Sequence, residues 1–132
     1  MTQPIPRIST RGYYDLSNGA TLKKNPYYFY PKKSFKKIIN SKELTIMIHG
    51  LRNDNAGAVA KAVIAKNKLR RLGYHYPVIG YSYDSNTTGA HLIAFAKHAL
   101  DVGQVIAKKN GRNLATFIED FKSISPKTKI RL

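Results

Sequence analysis

The sequence predicts an α/β fold: a mostly parallel sheet with flanking helices, preceded by an N-terminal antiparallel hairpin. Three observations carry this. Two apolar runs, Leu44–Ile48 and Val78–Tyr83, are separated by a stretch of helix formers. A second helical pattern, roughly 90–122, leads into a third apolar run at 129–132. Strands alternating with helices in this way call for crossover connections and hence parallel pairing. The 132 residues suit one domain, with residues 1–7 expected to be flexible.

In chain order, Ile8–Leu16 reads as a strand closed by the turn signal Ser17-Asn18-Gly19. Tyr27–Tyr30 lies between Pro26 and Pro31, and a proline at each end allows only an edge strand. Leu44–Ile48 is short, continuous and without alternation, the pattern of a strand buried on both faces. A helix follows, with Asn53, Asp54 and Asn55 as candidate N-caps. Val59, Ala62, Val63, Leu69 and Leu72 are expected on its inner face. Gly73 stands where a C-terminal glycine belongs, after Arg70 and Arg71 in the last turn. The 90–122 region is expected as two helical segments, the second with Val105, Leu114, Phe117, Ile118 and Phe121 on one stripe. Gly111, costing about 1 kcal/mol against alanine in an exposed helix, points to close packing there.

Composition narrows the function. No cysteine is present, which excludes a disulfide framework, a zinc ribbon and a thiol nucleophile. No apolar run approaches a membrane span, and the N-terminus has no signal-peptide core, so a soluble, cytoplasmic protein is expected. The net charge of +16 attracts polyanions. Its excess is spread along the chain, with one local cluster at 27–42. There Lys32, Lys33, Lys36 and Lys37 are mixed with five aromatics, as on single-stranded nucleic-acid surfaces. Solvated lysines beside a strand and its turn are the simpler reading, and no nucleic-acid-binding motif accompanies them.

Function in a parallel sheet gathers at the carboxyl ends of its strands. Two such ends are visible, IHGLRND after Leu44–Ile48 and SYDSNTTG after Val78–Tyr83. His49 could serve there as a base, a metal ligand or a strand terminus. His91 and His98 lie seven apart and lack the spacing and third ligand of a zinc motif, and His75 sits in a turn. No phosphate loop or dinucleotide fingerprint is present, and no metal or cofactor is implied.

The order of elements over 44–132 resembles the α/β-hydrolase superfamily of serine esterases and lipases, more loosely from residue 8. A strand ending in His49-Gly50, a polar loop and a helix are similar to that fold's third strand, oxyanion loop and first major helix. PVIGYSYDSN resembles its fourth strand, and 103–132 resembles the helix and strand that run into the Gly-x-Ser-x-Gly nucleophile elbow. The resemblance implies hydrolysis of an ester, thioester or amide in a small acyl substrate. It implies an oxyanion donor at the N–H of Leu51, or of Gly50, with His49 holding the loop and Asp84 and Ser85 at the cleft mouth. Gly50 would allow a sharp turn and leave room for substrate. Gly80–Asp84 (GYSYD) mimics the start of an elbow, but Asp84 replaces the second glycine, so Ser82 reads as a strand residue. The triad would follow position 132, which implies an incomplete α/β-hydrolase fold, inactive as it stands, from a fragment or a degenerate gene. The strand at 129–132 would then be an exposed edge, open to self-association. The alternatives are a small basic nucleic-acid-binding protein and a structural or pseudoenzyme role completed by a partner chain.

Overall fold

The structure, a computed structural model, describes residues 5–50, 53–89 and 92–132. Five strands form one sheet: β1 (Arg7–Ser9), β2 (Tyr28–Tyr30), β3 (Glu43–Ile48), β4 (Val78–Ser82) and β5 (Lys129–Arg131). Their order is β2-β1-β4-β3-β5. β1, β3, β4 and β5 run parallel, and β2 is antiparallel to β1 at the edge, where its flanking prolines confine it. A one-turn helix α1 (Phe35–Ile38) leads into β3, and the crossovers are α2 (Asn55–Arg71) and α3 (Ala96–Ile124). This is a general α/β architecture, as the alternation of elements predicts.

The N-terminal strand is shorter than the expected Ile8–Leu16. After Ser9 the chain turns, and Gly12 takes φ +80°, a left-handed value that ends extended structure. Eighteen residues then separate β1 from β2, tied by a single antiparallel bridge between Tyr14 and Thr21. Within the stretch 1–7, Ile5 is buried and Arg7 opens β1. Residues 1–4 lie outside the described region.

The strand faces separate two layers. Ile8, Leu44, Ile46, Ile79 and Tyr81 join Val102, Ile106, Phe117 and Phe121 in the core beneath α3. Ile130 and Phe29 pack against the same cluster. β4, central in the sheet, is buried at every position. β3 is not: Leu44 and Ile46 are buried while Thr45 and Met47 are half-buried. It alternates because α2 lies chiefly over β4, leaving the second face of β3 partly covered. Gly80 sets that placement, since a Cβ there would stand 3.3 Å from the Cβ of Ala62.

The α2 contact face is accordingly narrow and made of small residues. Ala58 and Ala62 are buried, whereas Val63 and Ile64 are exposed and Leu72 is 84% exposed, contrary to the expected Val59–Leu72 stripe. Asp54 is the N-cap, its carboxylate accepting from Gly57 N–H, and Gly73 closes the helix with φ +89°. α3 is one continuous helix of 29 residues rather than two. A Cβ on Gly111 would meet nothing within 4 Å, so this glycine marks open space, not close packing. Phe117 and Phe121 are buried as expected, Leu114 and Ile118 partly so, but Val105 faces outward. The inward residues one turn earlier are Val102, Ile106 and Asn110. β5 is the sheet's other edge, held to β3 by main-chain pairing and by a two-contact ion pair between Arg131 and Glu43. No helix among the described residues is long and apolar enough to cross a membrane.

Candidate functional site

Parallel pairing of β1, β4 and β3 brings Thr10, Ser82 and His49 to one end of the sheet. Register places Ser9 beside Ser82 and Ile48 beside Tyr81, so the segments leaving all three strands converge. The result is a compact polar cluster at the carboxyl ends, where the sequence placed function.

His49 is 4% exposed and has both ring nitrogens engaged. Nδ1 lies 2.8 Å from the carbonyl of Gly50, while Nε2 lies 3.0 Å from the backbone N of Tyr83. Only the neutral ring protonated on Nδ1 satisfies both, with Nδ1–H donating and Nε2 accepting. Arg11 Nη2 stands 3.4 Å from Nε2, a second donor to the same lone pair. Burial holds the His49 pKa below the ordinary histidine value; the contact with Gly50 opposes this, and the Arg11 charge adds to it. The ring stacks on Tyr83 at 4.4 Å.

The carbonyl of Gly50 accepts twice, from His49 and from Asn53 Nδ2 at 3.0 Å. Gly50 has no left-handed φ, and a Cβ on it would meet nothing within 4 Å. The turn therefore does not demand glycine, although the space before it is open. Leu51 lies outside the described residues. Asn53 N–H donates to Ser85 Oγ at 3.0 Å. Ser85 is buried behind this loop, whereas Asp84 keeps some exposure.

Arg11 organises the rest. Its Nε donates to Ser82 Oγ at 2.8 Å and its Nη1 to the Asn53 carbonyl at 3.1 Å. Nη1 also pairs with Asp84 Oδ1 at 3.3 Å, with both side chains about 15% exposed. Asp84 Oδ2 accepts from Gly12 N–H at 2.6 Å. Ser82 ends β4, is buried, and accepts from a guanidinium; its hydroxyl donates to Asn55 Oδ1 at 3.4 Å, and no base reaches it among the described residues. Sequence reading missed Arg11 altogether. It lies in a segment read as a strand, and no spacing links it to partners 38 to 73 residues away.

Comparison of the chain with protein-family models, with curated proteins and with solved structures finds no match.

The other sequence candidates lie elsewhere. Lys32, Lys33, Lys36 and Lys37 are all exposed around α1, just after β2. Because β2 runs antiparallel, they sit at the amino ends of the parallel strands, opposite the His49 cluster. The rings interleaved with them are mostly committed inward. Tyr27 donates to Asp120 and meets Phe117 edge-on, while Phe29 and Phe35 pack on each other and on the core. Tyr28 and Tyr30 are exposed, the latter beneath the Arg7 guanidinium. His98 contacts the Ser17 carbonyl through Nε2, His75 is exposed, and His91 lies outside the described residues. Among the described residues no three His, Asp or Glu side chains are grouped to hold a metal.

Proposed function

We propose that this chain is the N-terminal part of an α/β-hydrolase-like serine hydrolase acting on an ester, thioester or amide. In this reading the 132 residues supply one side of the oxyanion hole and none of the triad. The carrying observation is the double clamp on the Gly50 carbonyl, from His49 Nδ1–H and Asn53 Nδ2–H. The proposed donor is the N–H of Leu51, the residue that follows this carbonyl in the chain and lies outside the described residues. A preorganised donor stabilises the charge on a tetrahedral intermediate, and removing one costs about 2.7–4 kcal/mol. His49 is then a positioning residue: its ring is neutral, buried and already bonded on both nitrogens. The polar loops after β3 and β4 meet at the strand ends, which supports a cleft there.

The reading requires coding sequence beyond Leu132 that carries Gly-x-Ser-x-Gly. The test is to express the chain with that continuation and treat it with a fluorophosphonate and with p-nitrophenyl acetate. Labelling is expected at one serine of the new segment, with the 132-residue chain unlabelled. Asn53→Ala should then lower kcat more than it raises KM. A stop codon directly after Leu132, or labelling at Ser82, would refute it. The nucleic-acid alternative through Lys32, Lys33, Lys36 and Lys37 has two exposed rings of that stretch left for stacking.

A further inference from the structure

The segment linking β1 to β2 runs back over α3 and closes a pocket of about 340 Å3 against it. Four cations converge there: Lys23 and Lys24 from the segment, Lys109 and Arg112 from the helix. No carboxylate lines the pocket, and the two ion pairs among the described residues, Arg11–Asp84 and Arg131–Glu43, are elsewhere. Lys109, Arg112 and Asn113 are spaced i, i+3 and i+4, so all three present on one helical face.

The walls are pinned before any ligand arrives. Lys109 Nζ donates to the Gly19 carbonyl at 2.8 Å and to Thr21 Oγ1 at 3.1 Å. Asn113 Nδ2 donates to the Tyr14 hydroxyl at 2.6 Å. In each case the hydroxyl oxygen has accepted and keeps its own proton to give. Lys109 retains a third N–H, and Lys24 and Arg112 make no side-chain hydrogen bond or ion pair among the described residues. Donors and positive charge are thus in excess in one concavity, and acceptors are short. Four cations lining one concavity give it a positive potential that favours an anion.

We propose that this pocket is a binding site for a small, multiply charged phosphate, with the chemistry of a pyrophosphate group. Arg112 offers a planar fork for two phosphate oxygens, and the lysines supply point charges around it. A single-stranded nucleic acid fits less well, because such sites need exposed stacking rings and the ring among the lining residues, Tyr14, is buried. None of the residues used belongs to the cluster around His49, so the site stands apart from the hydrolase reading.

The test is calorimetric titration and thermal unfolding at fixed ionic strength, with inorganic pyrophosphate, ADP and a single-stranded oligonucleotide as separate probes. Saturable binding of pyrophosphate is expected, at least tenfold weaker in Lys24→Gln/Arg112→Gln and unchanged in Lys33→Gln/Lys36→Gln. Equal affinity for ADP and pyrophosphate would assign recognition to the phosphates alone, and tighter ADP binding to a nucleoside diphosphate; both sustain the proposal. The ligand-free Lys24→Gln/Arg112→Gln protein should unfold at the same or a higher temperature, since both side chains are exposed and neither makes a hydrogen bond or ion pair among the described residues. Equal weakening in both double variants, no saturable pyrophosphate binding by folded protein, or binding of the oligonucleotide alone would overturn it.

Discussion

Replacing Asn110 by leucine tests the hydrogen-bonded knot that joins α3 to the sheet. Asn110 is buried, and its Oδ1 accepts from Thr10 Oγ1 at 2.6 Å and from the Tyr81 hydroxyl at 2.8 Å. Leucine takes away that acceptor. Tyr81 keeps an alternative in the Asn110 carbonyl at 3.1 Å, but the fully buried Thr10 hydroxyl is left with no acceptor from the helix. An orphaned buried hydroxyl costs about 1–3 kcal/mol, and the better helix propensity of leucine returns about 0.5. The extra volume has somewhere to go, because Asn110 borders a cavity of about 200 Å3. The expected loss is about 1.5 kcal/mol. With an unfolding entropy of about 2.1 cal/mol/K per residue, this lowers Tm by roughly 5 °C. Urea unfolding of Thr10→Val, Asn110→Leu and the double variant supplies the decisive comparison. Thr10→Val alone should cost about 1 kcal/mol, yet nearly nothing beside Asn110→Leu, since both partners are then apolar. Costs that add to within about 0.5 kcal/mol would show that the hydroxyl–amide contact is not the source of the loss.

Two further outcomes concern the carboxyl-end cluster. The folded-state pKa of His49 is depressed, so the unfolded chain takes up this proton first as pH falls. The contribution is fully present above the unfolded value of about 6.5 and is lost below it, by at most about 1.4 kcal/mol per pH unit. Urea melts between pH 7.5 and 5.5 should show a steeper decline in the natural chain than in His49→Gln; equal slopes would remove this account. Arg11→Met should cost about 2 kcal/mol, because it strips donors from Ser82 and the Asn53 carbonyl and leaves Asp84 without its cation. Adding Asp84→Asn should restore part of that loss in the same unfolding assay, and a further loss instead would show the pairing to be unimportant.

Elements governed by local chemistry were legible in the sequence. Asp54 and Gly73 bound α2 as their side-chain and backbone properties require, and the prolines around Tyr28–Tyr30 confine β2 to an edge. The two strand ends that meet at the His49 cluster were legible too, since apolar runs giving way to polar turns mark them. Arg11 was not. Its partners Ser82, Asp84, Asn53 and His49 are reached only after α2 and β4 have folded back beside β1.

Three misreadings share one cause. Leu72 and Val105 sit on faces that periodicity assigned inward, and Gly111 stands in open space rather than against a neighbour. Periodicity tells which residues share a face but not what lies opposite, and what lies opposite depends on how each helix is placed on the sheet. Here Gly80 and Ala62 draw α2 onto β4, so a narrow alanine face is buried and larger residues are left outside. By itself the sequence determined the alternation of strands and helices, the caps of α2, and the positive charge, because each depends on residues adjacent in the chain. Only the tertiary structure decided which cations share a pocket and which polar groups neutralise one another, because those energies depend on distances across the sheet rather than along it.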